Sequence, residues 1–270
     1  YGIGEASGWP RVVETAIKDL TPLLLNEDPF HIERIWHKML ASIMGHGMTG
    51  VVGGGALTGI EMALWDLKGK ALEQPVWNLF GGKMRDRIRI YGHASNSEQA
   101  QKLVEQGYSA IKTGGIQNTL QNLQSIKRSV GSNIDLMVDL HGPPWLNTRD
   151  AIAMGKRLEE FDLLFYEDPV APENIEAISR VSKAVNLPIA AGERHATIWG
   201  VRELIEREII DVVQPDTGRA GGLVQMKKIA AMAEAHYCTI APHDGSLGPV
   251  AEMAAVHLMA TIPNFLILEH

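Results

Sequence analysis

The stretch LMVDLHG, residues 136–142, ends a buried apolar run with two titratable side chains and no turn between them. Side chains at positions i and i+2 of a strand point to the same side, so we expect Asp139 and His141 to project together. A strand suited to a protein interior that ends in such groups indicates a site at its carboxyl end.

The same alternation recurs along the rest of the chain. From residue 87 onward, short β-rich runs are separated by segments with helical spacing of apolar residues. Near-continuous apolar strands separated by helices indicate parallel pairing, and eight evenly spaced units favour an α/β protein with a (β/α)8 barrel over an open doubly wound sheet. The predicted strands are RIRIYGH (87–93), SAIKTGG (109–115), DLMVDLHG (135–142), LLFYEDP (163–169), PIAAGE (188–193), DVVQPD (211–216), CTIAPHD (238–244) and FLILEH (265–270).

The first 86 residues are predicted to be mostly helical. Asp28 is expected to cap one helix with Pro29 at its first position, and apolar residues from Leu57 to Ala71 recur at the spacing of a second helix. The connection between them, GHGMTGVVGGGALTG (residues 45–59), contains glycines in the order G-x-G-x-x-G. Because this stretch follows a helix and not a strand, we interpret it as a connecting loop and not as a dinucleotide site.

The overall composition limits the class of partner. The chain has 270 residues, 45% hydrophobic content, a formal net charge of −7 and one cysteine, Cys238. A net acidic surface disfavours nucleic acid and anionic membranes as partners, and one cysteine excludes an intrachain disulfide. No run approaches the roughly 20 apolar residues of a membrane span, and no signal peptide is visible. We expect a cytoplasmic homo-oligomer that acts on a small molecule.

Three carboxylates close three successive predicted strands: Asp139, Glu167 and Glu193. A closed barrel would bring them together at the face where such barrels carry their active sites. Any one of them alone is as readily a helix cap or a loop residue. Three anions so close repel one another unless a cation neutralises them, and carboxylate oxygens suit octahedral Mg²⁺. The set therefore predicts a magnesium site.

Other titratable residues lie at the remaining strand ends. His141 and His243 would face each other across the cavity, and Asp216 could fix the tautomer of His243 and make it a stronger base. Such a pair could remove a proton next to a metal-bound carboxylate and protonate a departing group. Lys112, His93 and His195 close strands 2, 1 and 5 and are candidate substrate contacts, and Glu269 closes strand 8.

Several separate motifs agree in order and spacing with a known group. GIEMALWDLKGKALEQPVWNLFGG, VDLHG, YEDP, GER, QPDTGRAGG, APHDGSLGP and IPNFLILEH together resemble the mandelate racemase subgroup of the enolase superfamily, and within it the acid-sugar dehydratases. The resemblance covers essentially the whole chain. It implies a modified, enolase-like barrel over residues 87–270 and a partial N-terminal α+β capping domain over residues 1–86.

The resemblance also assigns roles to the candidate residues. It implies that Asp139, Glu167 and Glu193 bind Mg²⁺, that His243 with Asp216 is the general base, and that His141 is the general acid. Glu269 matches the acid of strand 8 that, in relatives, hydrogen-bonds the substrate carboxylate as charge develops. The implied reaction is dehydration of an aldonate to a 2-keto-3-deoxy acid.

One departure separates the expected reactions. Racemases of this subgroup carry Lys-x-Lys on strand 2, whereas this chain reads Lys112-Thr113-Gly114 and lacks the second lysine. β-Elimination of water is therefore favoured over two-base racemisation. A sugar-acid epimerase and a non-catalytic, ligand-binding relative are the alternatives, and the intact pair of His243 and Asp216 speaks against the second.

Overall fold

Every predicted strand forms, as a short segment inside or at the edge of the apolar run that predicted it. The computed structural model describes residues 1–45, 50–245 and 247–270. Its strands are β1 (Ile90–His93), β2 (Ala110–Gly114), β3 (Asp135–Asp139), β4 (Phe165–Glu167), β5 (Ile189–Ala191), β6 (Val212–Val213), β7 (Thr239–Ile240) and β8 (Leu268–Glu269). They pair in parallel in one sheet in the order β7-β6-β5-β4-β3-β2-β1-β8.

The two edges of this sheet approach each other. The N–H of Leu266, two residues before β8, donates to the carbonyl of Ile240 in β7 at 2.9 Å, and the N–H of Ile240 donates to Asn264 at 3.0 Å. A sheet whose last strand pairs with β1 and whose preceding segment contacts β7 is strongly curled. The carboxyl ends of its strands are thereby directed to one region.

The helices fall into two groups: those before β1 belong to the N-terminal region, and those after β1 connect successive strands and pack on the outside of the sheet. They are α1 (Pro10–Leu20), α2 (Ile32–Met44), α3 (Gly50–Leu72), α4 (Val76–Leu79), α5 (Ser97–Glu105), α6 (Thr119–Val130), α7 (Thr148–Leu158), α8 (Ile175–Ala184), α9 (Thr197–Glu206), α10 (Leu223–Ala235) and α11 (Pro249–Met259), with 3-10 turns at Thr21–Leu23 and Glu159–Phe161. In the part of the chain that the structure describes, no helix combines the length and apolar content needed to cross a membrane.

Both faces of the sheet are buried, which explains why the strands are apolar at successive positions. Met137 of β3 belongs to a cluster on one face, while its neighbours Leu136 and Val138 belong to a larger cluster that includes residues of the surrounding helices. The first cluster takes one residue from every strand or its flank: Tyr91, Ala110, Met137, Phe165, Ala190, Val212, Ala241 and Ile267. This cluster fills the concave side beneath the strand ends.

The N-terminal region forms its own small core, in which Trp36 and Met39 of α2 pack with Leu57 of α3. The prediction for the start of α2 was wrong. The helix begins at Ile32, and the Asp28 carboxylate instead accepts a hydrogen bond from the N–H of Phe30 at 2.9 Å, which makes a local turn. Residues 1–45 and 50–86 contain only helices and irregular segments, and the boundary after residue 86 and the role of this region as a cap stay predictions.

The glycine-rich connection was also predicted incorrectly in part. Helix α3 begins at Gly50, so residues 50–59 are helical and not a loop, while His46–Thr49 lie outside the described residues. The helical glycines allow a close approach of neighbouring backbone. A Cβ on Gly54 would lie 2.3 Å from the carbonyl oxygen of Arg219, and one on Gly55 would lie 2.3 Å from that of Ser7.

Candidate active site

The three predicted metal-binding carboxylates lie side by side at the carboxyl ends of adjacent strands. Asp139 ends β3 and Glu167 ends β4, and the two residues pair in register. Glu193 follows β5 by two residues. All three side chains are buried, with relative exposures of 5%, 0% and 4%. Three acids removed from water in one place require compensating positive charge.

Lys112 of β2 supplies part of that charge. Its ammonium lies 2.8 Å from Glu167 Oε2, 2.9 Å from Glu269 Oε1 and 4.0 Å from Asp139 Oδ2, and only 2% of the residue is exposed. Burial alone would lower the pKa of Lys112, but the surrounding carboxylates raise it well above its ordinary value. Lys112 therefore stays charged and stabilises the acidic cluster.

Glu193 is compensated from two other directions. Arg194 forms an ion pair with Glu193 and a second one with Asp168, and the Nε2 of His243 lies 2.7 Å from Glu193 Oε2. Burial would raise the pKa of Glu193, but the contacts with His243 and Arg194 lower it to about 2. The carboxylate is therefore ionised throughout the neutral range.

The donor chemistry of this cluster fits a hard divalent cation. The Oε1 atom of Glu167 is buried without a hydrogen-bond partner, although its other oxygen is paired with Lys112. Within the described residues, no group of three or more His, Cys, Asp or Glu side chains is arranged closely enough to hold a metal ion. Cationic side chains contact the carboxylates instead, and the unpaired oxygen of Glu167 shows that they do not satisfy the set completely.

His243 and Asp216 form the predicted pair. His243 Nδ1 lies 2.7 Å from Asp216 Oδ2, and Asp216 is fully buried. Burial alone would lower the pKa of His243, but hydrogen bonds to Asp216 and Glu193 raise it to about 10. Asp216 therefore fixes one ring nitrogen, and the other nitrogen, Nε2, faces the acidic cluster.

His141 and Asp139 project together, as the strand geometry predicted. His141 Nδ1 lies 2.5 Å from Asp139 Oδ2, and the backbone N–H of His141 donates to Asp139 Oδ1 at 2.9 Å. About half of the His141 side chain is exposed. The hydrogen bond to Asp139 raises the pKa of His141 and so favours the protonated ring.

Glu269 of β8 joins the two sides of the site. Its Oε1 lies 2.6 Å from His93 Nε2 and 2.9 Å from Lys112 Nζ. Its Oε2 accepts a hydrogen bond from the N–H of Asp244 at 2.9 Å and lies 3.6 Å from His243 Nε2. His93 is thus placed against Glu269 at the opening of the cavity, with half of its side chain exposed.

These side chains surround a cavity of about 320 Å³, lined by His93, Lys112, Asp139, His141, Glu193, Arg219, His243, Gly245 and Glu269. Glu167 and Asp216 lie directly behind it, in contact with Lys112 and His243. His195 does not line this cavity. It lines a neighbouring cavity of about 480 Å³, together with Arg194 and Arg219.

Sequence reasoning missed two arginines. Arg219 lines both cavities, donates from Nε to the carbonyl of Glu193 at 2.9 Å and lies 3.3 Å from Asp216 Oδ2. Arg194 pairs with Glu193, as described above. Arg194 directly follows Glu193 in the motif GER, and Arg219 lies three residues after Asp216 in the motif QPDTGRAGG. Their position next to predicted acids at strand ends was the sequence signal that could have identified them.

Comparisons with known proteins show which family the chain resembles. The family model of the mandelate racemase/muconate lactonizing enzyme N-terminal domain matches residues 1–81, and the enolase C-terminal domain-like model matches residues 96–270. The chain is 34% identical to a D-galactonate dehydratase of Verminephrobacter eiseniae, over 96% of this chain and 71% of that protein. It is 31% identical to a D-xylonate dehydratase of Haloferax volcanii, over 100% of this chain and 71% of that protein.

Solved structures show the same relationship. The 3,6-anhydro-D-galactonate cycloisomerase of Zobellia galactanivorans superimposes with a TM-score of 0.93 at 32% identity, over 100% of this chain and 78% of that one. The sequence, the parallel eight-stranded sheet and the acids at its strand ends thus lead to one assignment. The chain belongs to the mandelate racemase/muconate lactonizing enzyme family of the enolase superfamily.

Proposed function

We propose that this protein is a hydro-lyase that dehydrates a sugar acid, an aldonate such as galactonate, to a 2-keto-3-deoxy acid. The observation that carries the proposal is His243, held at Nδ1 by the buried Asp216, with Nε2 at a cavity lined by acids. The names of two relatives, a D-galactonate dehydratase and a D-xylonate dehydratase, support the reaction class.

The resident cofactor in this proposal is Mg²⁺, held by Asp139, Glu167 and Glu193. The buried oxygen of Glu167 that has no partner and the all-oxygen donor set support this choice over zinc, which prefers nitrogen and sulfur ligands. When bound, the cation supplies positive charge that stabilises the negative charge growing on the substrate carboxylate.

His243 is the proposed general base. Its Nε2 is the nitrogen that faces the cavity, because Asp216 occupies Nδ1 at 2.7 Å. A cation bound to Glu193 would weaken the contact with Nε2 that helps to raise the pKa of His243, and so would favour the neutral ring. The neutral ring, still held at Nδ1 by Asp216, accepts the C2 proton at Nε2, and the electrons of the C2–H bond pass toward the carboxylate. Glu269, which also lines the cavity, is the proposed partner of the substrate carboxylate as its charge increases.

His141 is the proposed general acid. The electrons then return to form the C2–C3 double bond, the C3–O bond breaks, and His141 gives its proton to the departing hydroxyl, which leaves as water. The hydrogen bond to Asp139, which favours the protonated ring, supports this role. The enol product tautomerises to the 2-keto acid.

Lys112, His93 and His195 are the proposed substrate contacts. Lys112 and His93 line the cavity, whereas His195 lies in the neighbouring cavity, where it could meet only a more distant part of a substrate. We also propose that the curled sheet is the closed (β/α)8 barrel of the family, with residues 1–86 as part of its cap. The hydrogen bond from Leu266 to Ile240 supports closure.

The test is a screen of aldonates and aldarates, with 3,6-anhydro-D-galactonate included, for keto-acid product with and without Mg²⁺. We expect one aldonate or a small group of them to give a 2-keto-3-deoxy acid, and we expect chelation to abolish turnover. Reactions run in D₂O separate the alternatives. Deuterium entering C2 without keto acid identifies an epimerase, and ligands that raise the melting temperature without being consumed identify a binding protein.

A further inference from the structure

The segment Glu5–Ser7 lies between the N-terminal helices and the loops that follow β6 and β7. We call it the tether. The N–H of Ser7 donates to the carbonyl of Gly218 at 2.9 Å, in the loop that begins at Asp216. The Glu5 carboxylate accepts hydrogen bonds from the N–H groups of Gly248 and Ala251 at the start of α11. The tether thus contacts both loops that follow the base and its partner.

The Ser7 hydroxyl reaches the catalytic pair directly. Ser7 Oγ donates to Asp216 Oδ1 at 2.9 Å, and the N–H of Gly218 donates to the same oxygen at 2.9 Å. The other oxygen, Oδ2, is the one that meets His243 at 2.7 Å and Arg219 at 3.3 Å. Each carboxylate oxygen therefore has its own set of donors, and rotation of the carboxylate would break both sets.

The packing around Ser7 leaves little room for another arrangement. A Cβ on Gly218 would lie 2.9 Å from both the Cβ and the Oγ of Ser7, and one on Gly55 of α3 would lie 2.3 Å from the Ser7 carbonyl oxygen. The tether is thus held between α3 and the loop by two glycines. The backbone of Ser7 is thereby placed close to the loop, and its hydroxyl reaches Asp216 from this position.

We propose that Ser7 is a positioning residue for the reaction, which acts on His243 through Asp216. The inference rests on the proposed function, because it requires His243 to be the base. Ser7 holds Oδ1 so that Oδ2 stays on His243 Nδ1 and Nε2 stays directed into the cavity. Ser7 also makes the N-terminal region part of the catalytic machinery, independently of any contact that this region makes with substrate.

The first test is Ser7→Ala in the full-length protein. We expect kcat to fall about tenfold, with KM for the aldonate and the activating Mg²⁺ concentration changed less than about twofold, because the lost hydrogen bond orients the base and does not bind either ligand. An unchanged kcat overturns the proposal. If Ser7→Ala does not fold, Ser7→Cys, which keeps a weak donor of similar shape, is expected to lower kcat by less than about tenfold relative to wild type, and an unchanged kcat overturns the proposal.

The matched control is Thr58→Val. Thr58 Oγ1 accepts a hydrogen bond from the N–H of Gly221 at 2.9 Å, so it docks the same loop without contacting Asp216. We expect kcat of this variant to stay within about twofold of wild type at a temperature where it is folded, since Asp216 keeps all its donors. A loss equal to that of Ser7→Ala would assign the effect to loop docking and overturn the proposal.

A double-mutant cycle with Asp216→Asn gives the decisive readout. If Ser7 acts only through Asp216, Ser7→Ala in the Asp216→Asn background lowers kcat by less than about twofold further. Independent, multiplying losses overturn the positioning role. Failure of the proposed function gives a different result: either the wild type forms no keto acid from any sugar acid in the screen, or His243→Asn and Asp216→Asn leave turnover intact. If these two variants are inactive and Ser7→Ala is fully active, only the role of Ser7 is wrong.

Discussion

Two regions of the molecule bury carboxylates in different ways. Glu61 of α3 is 1% exposed, and its oxygens accept hydrogen bonds from the N–H groups of Leu223 and Val224 at 2.8 and 3.0 Å and from Trp65 Nε1 at 2.8 Å. These donors are neutral, and two of them stand at the N-terminus of α10, where a helix favours negative charge. Glu61 is therefore satisfied without any cation.

The cluster at the strand ends is arranged in the opposite way. Its acids face lysine, arginine and histidine, and Glu167 keeps an unpaired buried oxygen. A carboxylate with all its hydrogen bonds made by neutral backbone and indole groups stabilises the fold. A set of carboxylates that relies on charge and remains incompletely paired is suited to bind a cation, and the difference is visible in the partners of each acid.

The largest expected effect concerns the histidines of the site. His243→Asn is expected to lower kcat by at least about a hundredfold, and His141→Asn likewise, the usual scale for a positioned base or acid. Steady-state kinetics with the identified aldonate measure this loss. His37→Asn, which changes a largely exposed histidine of α2, serves as control and should keep wild-type kcat. Turnover that survives in either site variant removes that residue from the mechanism.

Loss of the Glu61 carboxylate should affect stability and not chemistry. Glu61→Ala leaves the two helix N–H groups and the indole N–H without their acceptor. We expect the free energy of unfolding to fall by about 3 kcal/mol. Urea unfolding measures the change, and kcat of the folded fraction should match wild type. A large loss of kcat with unchanged stability would show that Glu61 acts in catalysis and not in folding, and would contradict this prediction.

The pH dependence of stability also distinguishes Glu61 from the acids at the strand ends. Burial raises the pKa of Glu61 to about 7 despite its hydrogen bonds. The folded protein holds the proton of Glu61 more tightly than the unfolded chain does. The contribution of Glu61 to the free energy of unfolding is therefore complete below the ordinary pKa of a glutamate and is lost as the pH rises through 7. Relative to Glu61→Gln, the wild type should lose about 2 kcal/mol between pH 5 and pH 8. If the urea midpoints of wild type and Glu61→Gln change equally between pH 5 and pH 8, this prediction is wrong.

The smallest effect is expected at exposed ion pairs. Lys102 lies 2.9 Å from Glu98 one turn earlier on α5, and both side chains are mostly exposed. Lys102→Ala should change the unfolding free energy by less than about 0.5 kcal/mol, since water and salt screen such a pair. A change as large as that of Glu61→Ala would show that burial does not decide the strength of these contacts.

The strands and the site were predictable from the sequence because both depend on local patterns. Continuous apolar runs predicted strands that are buried on both faces. Residues at the ends of those runs were expected to lie together because the carboxyl ends of parallel strands lie at one edge of the sheet. The positions of Asp139, His141 and Glu167 follow from this rule, whereas their roles stay predictions. His243 and Asp216 were found in the same way and are now seen in contact.

Other features depend on neighbours that are distant in sequence. Residues 50–59 contain many glycines and resemble a loop, yet they are helical, and Gly54 and Gly55 let this helix approach the backbones of Arg219 and Ser7. The ion pairs of Lys112 with Glu167 and Glu269 could not be predicted, because nothing in β2 shows that these acids lie within 3 Å of it. These contacts join residues that are 48 to 165 positions apart in the chain, and no local sequence pattern predicts them.

In the proposed site, Asp139, Glu167 and Glu193 share one divalent cation. Crystals grown with Mn²⁺ as a substitute for Mg²⁺ test it through anomalous scattering. We expect one peak within about 2.0–2.3 Å of an oxygen of each of the three acids. Absence of a peak there at saturating Mn²⁺, with Lys112 and Arg194 still paired to the acids, would contradict the claim.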